Sequence, residues 1–187
     1  MISTVLSGAD SKGDEGRGST SETEALFRAA MRTFTGSVTL VTSRTPEGEW
    51  RGMAATAVAS VSMAPPTCLF CVNHDATLYP AVIASRLFCI NVMHQDHHAL
   101  MPSFTNAANR SGRFQSGPWR TGRDGIPFLD NAQSNIFCEI FGRLPVGTHD
   151  VVVGRVVEVM SRRDSDPLLY GGGVYLRQTK RGLAHGK

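Results

Sequence analysis

Five segments carry residue types that could hold or orient a reacting ligand. The first is Gly52-Met53-Ala54-Ala55-Thr56-Ala57-Val58-Ala59-Ser60-Val61-Ser62-Met63-Ala64-Pro65-Pro66, a run with almost no side-chain bulk. So lean a strand lets a flat ring approach the backbone, whose N–H and C=O groups can bind the ring's polar edge. Close strand packing would use the same composition. The second, Asn73-His74-Asp75-Ala76-Thr77, precedes a helical stretch. Free N–H groups and the dipole at a helix start favour a phosphate. An ordinary Thr or Asp cap would look the same, and Asp75 would repel a phosphate if it pointed inward.

The third, Phe88-Cys89-Ile90-Asn91-Val92-Met93-His94-Gln95, ends an apolar run with amides. A buried Asn91 must be satisfied, either by backbone or by a heteroaromatic edge. The fourth is Arg113-Phe114: a guanidinium can pair with phosphate and a ring can cover a planar ligand, while a surface charge beside a core aromatic is the plainer alternative. The fifth is Gly147-Thr148-His149-Asp150, where a histidine at a strand mouth can touch a ligand or move a proton, or else is a solvated turn residue. His94 and His98 have i, i+4 spacing, but neither a third ligand nor the Glu base of a zinc helix accompanies them; no metal is expected. Cys68-x-x-Cys71 lies inside an apolar strand, where residues three apart face opposite ways, so these thiols should not meet and are read as buried structural groups. No disulfide framework is implied, as suits a reducing cytoplasm.

The elements that must position these residues are mostly strands. Residues 1–20 read as a flexible tail. Ser21-x-x-Glu24 has the form of a capping box, followed by an apolar helical face at Leu26, Phe27, Ala30, Met31 and Phe34 that Gly36 ends. Strands are expected over Val38–Thr42, over 51–63 as one long strand, and over 67–73, with a turn at Pro46-Glu47-Gly48. Thr77 caps a helix running to about Ser85, Leu87–Val92 is a strand, and 95–103 is helical. The Gly-, Asn-, Arg- and Pro-rich stretch 104–133 is a long excursion of the functional kind. Strands return over 135–143 and 150–162, joined by Leu144 to His149, and 168–176 adds a last short one. Many short strands without βαβ alternation suggest a small antiparallel barrel. No Gly-x-Gly-x-x-Gly joins a strand to a helix, which disfavours a Rossmann unit.

With 187 residues, 41 % of them hydrophobic and 19 % charged, the chain can bury a core. The net charge of +3 is uneven: residues 1–24 hold two basic and five acidic side chains, and residues 176–187 hold four basic and none acidic. A near-neutral middle argues against nucleic acid as a ligand, and the basic end reads as a solvated tail over 177–187. No stretch reaches the roughly 18 apolar residues of a membrane span. No basic-then-apolar leader pattern is present, so a cytoplasmic location is expected.

Together, the order and spacing of Gly36-Ser37-Val38-Thr39-Leu40-Val41-Thr42, the Gly52–Pro66 block with its Ser-Val-Ser-x-x-Pro-Pro ending, Phe88-Cys89-Ile90-Asn91-Val92-Met93, Arg113-Phe114, Gly147-Thr148-His149 and the pair Tyr170/Tyr175 resemble the short-chain flavin reductase family. These are the reductase components of two-component flavin monooxygenases. The resemblance runs from about Phe27 to Tyr175. It implies a mainly β fold, a six-stranded antiparallel split barrel of Greek-key type with a few flanking helices spanning 21–176, and a homodimer with flavin near the subunit interface. It also implies NADH or NADPH as hydride donor, FMN or FAD as acceptor, and a monooxygenase partner.

Carried over by position, Ala54, Ala55, Thr56, Ala57 and Ser60 would line the isoalloxazine and ribityl chain. Asn73, Thr77 and Arg113 would serve the phosphate end, Asn91, Val92 and Met93 would lie along the flavin, and Phe114 would cover it. His149 would position the nicotinamide, helped by Tyr175. This chain departs from the pattern in having few hydroxyls over Ala54–Ala57, and in having Thr148 where an Asp before the His is common. A reductase of another acceptor, such as a corrinoid or metal complex, and a non-catalytic flavin- or haem-binding split barrel are the alternatives.

Overall fold

The computed structural model describes residues 20–179; most of both expected tails lies outside the described residues. Two units are present, residues 1–34 and 35–187. The first contributes helix α1 (Thr20–Met31). It starts before Ser21, so the expected capping box falls inside its first turn. It also stops at Met31, and Gly36 instead opens a strand.

In the second unit the chain runs through β1 (Gly36–Ser37), β2 (Thr39–Arg44), β3 (Trp50–Ala55), β4 (Val58–Met63), β5 (Pro66–Asn73), α2 (Leu78–Ser85) and β6 (Leu87–Val92). A 3₁₀ turn over Gln95–Leu100 leads into α3 (Met101–Thr105) and another over Ala107–Gly112. Then come β7 (Trp119–Thr121), β8 (Pro127–Leu129), β9 (Ser134–Val146), β10 (His149–Ser161), β11 (Leu169–Gly171) and β12 (Val174–Leu176). The excursion 104–133 is therefore not structureless: short helical turns and the β7–β8 hairpin occupy it.

The main sheet is antiparallel, in the order β3-β2-β6-β9-β10-β5-β4. Its two edges, β3 and β4, are consecutive in sequence. The expected single strand 51–63 breaks at Thr56-Ala57, where Val58 N–H donates to Thr56 O. One half pairs with β2 and the other with β5. Counted as one bent strand they restore the expected six, and the bend between them curls the sheet into a split barrel. Small side chains at the bend permit the turn without a steric cost. The hairpin β9–β10 is longer than expected. Leu144–Val146 and His149 belong to its strands, leaving Gly147-Thr148 as the turn, with Gly147 at φ 57° where a left-handed backbone favours glycine.

The barrel interior is filled from alternate positions: Phe70, Val72, Phe88, Ile90 and Val152 are fully buried. Gly154 sits under the Phe88 ring, and a Cβ there would collide with Phe88 and lie 2.9 Å from Cys138 Cβ. On β5, Cys68 points inward and Cys71 outward, as the alternation requires; Cys68 Sγ lies 3.5 Å from Cys138 Sγ as a free thiol. Part of the outer face of β4, β5, β10 and β9 is apolar, in two rows flanked by polar residues such as His149 and Arg155. Register aligns Ala59, Leu69, Val153 and Gly142 in one row, Cys71, Val151 and Leu144 in the next, and Asn73, His149 and Val146 at the end.

Candidate active site

Two cavities lie side by side along β3, because Gly52 and Ala54 point to the same face about 7 Å apart. One is a slot of about 440 Å³ whose walls include Ala54, Ala55, Thr56, Tyr170 and Tyr175. Its floor is the buried cluster of Val38, Met93 and Met101. β12 is fastened over it: Gln95 Nε2 donates to Leu176 O at 2.7 Å, and the His98 and Tyr175 rings meet edge to face at 4.8 Å. Tyr170 meets Tyr175 at 5.4 Å on the other side. Burial, with Tyr170 adding to it, raises the Tyr175 hydroxyl above its ordinary pKa. Methyl groups and backbone make up the β3 side. No bulky side chain fills the slot, which suits a flat ring.

The second cavity, about 610 Å³, is bounded by Trp50, Gly52, Thr77, Arg110, Arg113 and Phe114 among others. Gly52 fits closely here, since a Cβ would stand 3.0 Å from Phe104 and 3.2 Å from Phe114 and would press on both rings. Phe114 is held edge-on by Trp50, Phe104 and Trp119, with centroids 4.9–5.6 Å away. Burial, and secondarily Arg110, lowers the Arg113 pKa. The positive lining suits phosphate.

The expected site residues are thus divided. Ala54, Ala55, Thr56 and Tyr175 share the slot; Thr77, Arg113 and Phe114 share the cleft. Ala57 is exposed at the bend, where its carbonyl accepts from Cys71 N–H, and Ser60 is exposed on β4. Thr77 occupies the N-cap position of α2 but makes no capping bond; its hydroxyl lies 3.3 Å from Arg113 Nη1. Asn73 turns its Oδ1 back to Asp75 N–H.

Asn91 and Met93 correct the expectation. Both are fully buried. Asn91 Nδ2 donates to Leu40 O and Thr42 Oγ1, and its Oδ1 accepts from Leu129 N–H and Asn135 Nδ2. Its amide is spent on the framework, and Met93 underlies the slot without facing it. Val92 is half-buried in the strand between them. His149 is exposed, with Nδ1 2.9 Å from Thr148 Oγ1, and it lines neither cavity. Its row nevertheless ends the sheet on the side of the Thr56-Ala57 bend, because Ala57 adjoins Cys71 and Asn73 pairs with His149.

Sequence reasoning missed Asp150. It is 1 % exposed and is bound by His74, Tyr79 and Arg143. These contacts, the His74 hydrogen bond first, hold its carboxyl below the ordinary carboxylate range. The available signal was a charged residue in the inward register shared by Val152 and Gly154, where only a paired carboxylate is tolerated. Among the described residues no cluster of His, Cys, Asp or Glu could hold a metal ion, and no helix is long and apolar enough to cross a membrane.

A split barrel with an open slot beside a cationic cleft has room and charge for a planar, phosphate-bearing ligand. The family model described as flavin reductase like domain matches residues 31–178. The chain belongs to that family, and it is an oxidoreductase. It is 35 % identical over 159 residues to the reductase component of an FADH(2)-dependent resorcinol hydroxylase from Rhizobium sp. (strain MTP-10005), covering 84 % of this chain and 89 % of that one. It is 35 % identical over 152 residues to the FMN reductase (NADH) RutF of Pseudomonas syringae pv. syringae (strain B728a), covering 81 % and 85 %. Among solved structures, a homologue of nitrilotriacetate monooxygenase component B from Mycobacterium thermoresistibile superposes with a TM-score of 0.80 at 27 % identity, covering 89 % of this chain and 94 % of that one.

Proposed function

We propose that this chain is a homodimeric, NAD(P)H-dependent flavin reductase that delivers reduced flavin to a partner monooxygenase. One observation carries the reading: the slot beside Ala54, Ala55 and Thr56 stays clear of the protein's own side chains in a barrel whose remaining interior is densely filled. The residues present fit a flavin: a ring-wide slot with backbone polar groups along one wall, and a cationic cleft one residue pair away. When bound, flavin supplies the capacity to accept a hydride from a reduced nicotinamide.

The protein's work is then positional. Ala54–Thr56 and Tyr175 flank the ring and exclude water from its faces. Arg113 and Thr77 shape the phosphate end. His149, with Thr148 beside its Nδ1, would hold the nicotinamide of the donor. No side chain is required as a nucleophile. The monooxygenase partner is inferred from the Rhizobium relative, which is the reductase component of a hydroxylase. Dimerisation is inferred from the apolar rows on the outer face of β4, β5, β10 and β9, which would be half of an interface.

Anaerobic mixing of the protein with NADH or NADPH and either flavin tests the activity. Bleaching of the oxidised-flavin band faster than in a protein-free control is expected. Bleaching no faster than the control with any of the four combinations would exclude a reductase.

A further inference from the structure

We infer that the Trp50–Arg110 side of the cleft is a subsite for the adenosine diphosphate half of a dinucleotide flavin, so that this chain prefers FAD to FMN. The inference rests on the flavin-reductase reading above and assigns Arg110, which that reading leaves out, as the phosphate ligand.

Arg113 has little left to offer a ligand. Its Nε donates to Ser103 O at 3.1 Å, its Nη1 to Gly52 O at 2.8 Å and Thr77 Oγ1 at 3.3 Å, and its Nη2 to Phe104 O at 3.5 Å. Four of its five N–H groups are thereby used, and it braces the cleft wall. Arg110 lines the same cleft with no side-chain hydrogen bond or ion pair among the described residues. The other arginines of this stretch are paired, Arg120 with Asp130 at 2.9 Å and Arg123 with Asp124 at 3.3 Å. Arg51, also in the cleft, is neutralised by Glu49. Two uncompensated guanidiniums therefore face one cavity and repel each other, a cost that the two negative charges of a diphosphate would remove.

Size points the same way. The cleft, at about 610 Å³, is larger than the ring slot, at about 440 Å³. With a flavin ring in the slot, the larger cavity has room for more than a single phosphate. The Trp50 indole lines that remaining space, braced edge-on by Phe114 with centroids 5.5 Å apart, and gives a purine a surface to stack on.

An adenosine diphosphate group occurs both in FAD and in the nicotinamide donor, and equilibrium titration of the full chain with each flavin, without nicotinamide, separates them. The wild type should bind FAD about tenfold or more tightly than FMN. Arg110→Ala should weaken FAD about tenfold and FMN less than about twofold, with Arg110→Lys intermediate. Trp50→Leu should show the same selectivity. Equal wild-type affinities, or equal loss for both flavins, would overturn the assignment. So would a raised NADH requirement with FAD affinity unchanged, which would give the cleft to the donor. If the wild type binds neither flavin, the flavin-reductase reading falls as well; if it binds both alike, only this inference does.

Discussion

His74 Nε2 lies 2.8 Å from Asp150 Oδ1, and the backbone N–H of the same His74 donates to Thr148 O at 3.0 Å, so one residue sews the β5–α2 turn to the β9–β10 turn. The first turn carries Asn73 and Thr77, the second Thr148 and His149. Tyr79 and Arg143 complete the shell around the carboxylate at 3.2 and 3.3 Å. Asp150 is thereby the fixed point between the β5–α2 turn and the β9–β10 turn that carries His149.

A pH dependence of stability follows from that carboxylate. Its folded pKa is depressed, with the His74 contact as the largest cause. A depressed acid contributes stability that is fully present above its unfolded value, about 3.9, and is lost as pH falls through the lower folded value. Asp150→Asn should therefore lower the Tm at neutral pH, with the gap to wild type closing as pH falls below about 4. Thermal melts of both proteins from neutral to acid pH check this; a constant gap across that range would show that the charge of Asp150 contributes nothing.

Filling the slot should separate flavin binding from folding. Ala54 is half-buried and faces the cavity between the cluster floor and Tyr175. Ala54→Phe would project a ring into the space a flavin needs. Flavin affinity should fall at least about tenfold, while the far-ultraviolet circular dichroism stays that of the wild type. Unchanged affinity in a folded variant would place the flavin elsewhere.

His149 is exposed and belongs to none of the three buried clusters, so its removal should leave the barrel intact. His149→Ala should raise the KM for NADH about tenfold and leave flavin affinity within about twofold, as expected for the loss of a single positioning hydrogen bond. A parallel loss of both would mean that His149 does not distinguish donor from acceptor. Thr148→Val, which removes the Nδ1 partner, should reproduce a weaker form of the same change.

The barrel was legible in the sequence because short β-branched runs and turn residues report local structure directly. β6 fell where expected, Leu87–Val92, and the β2–β3 turn closes through Gly48 N–H to Thr45 O. The break at Thr56-Ala57 was not legible: small residues are as compatible with a continuous strand as with a bend, and only the closure of the sheet chooses between them. The site was legible as a set of segments but not as side-chain directions. Asn91 and Arg113 both have the chemistry to grip a ligand, yet most of their donors and acceptors go to Leu40, Thr42, Leu129, Gly52 and Ser103, partners 10 to 61 residues away in sequence. Arg110 was marked in the sequence only by its charge; that it has no side-chain partner among the described residues is visible only in three dimensions.

The continuously apolar character of β5 has its own meaning. A strand covered on both faces reads as an unbroken apolar run, whereas one with a wet face alternates. Phe70 and Val72 fill the barrel, which accounts for the inward set; Leu69 and Cys71 face outward beside Val151, Val153 and Leu144. Leu144 and Val146 are 61 and 56 % exposed in the single chain, an uncovered surface that a second copy would bury through an isologous contact. Val151 stands in the middle of this face, so Val151→Asp would place a carboxylate where the partner's apolar row should pack. Sedimentation of the wild type is expected to give a dimer and of Val151→Asp a monomer with the same circular dichroism. A wild type that sediments as a monomer at micromolar concentration would leave the outer face without a second copy and remove the dimer from the proposed function.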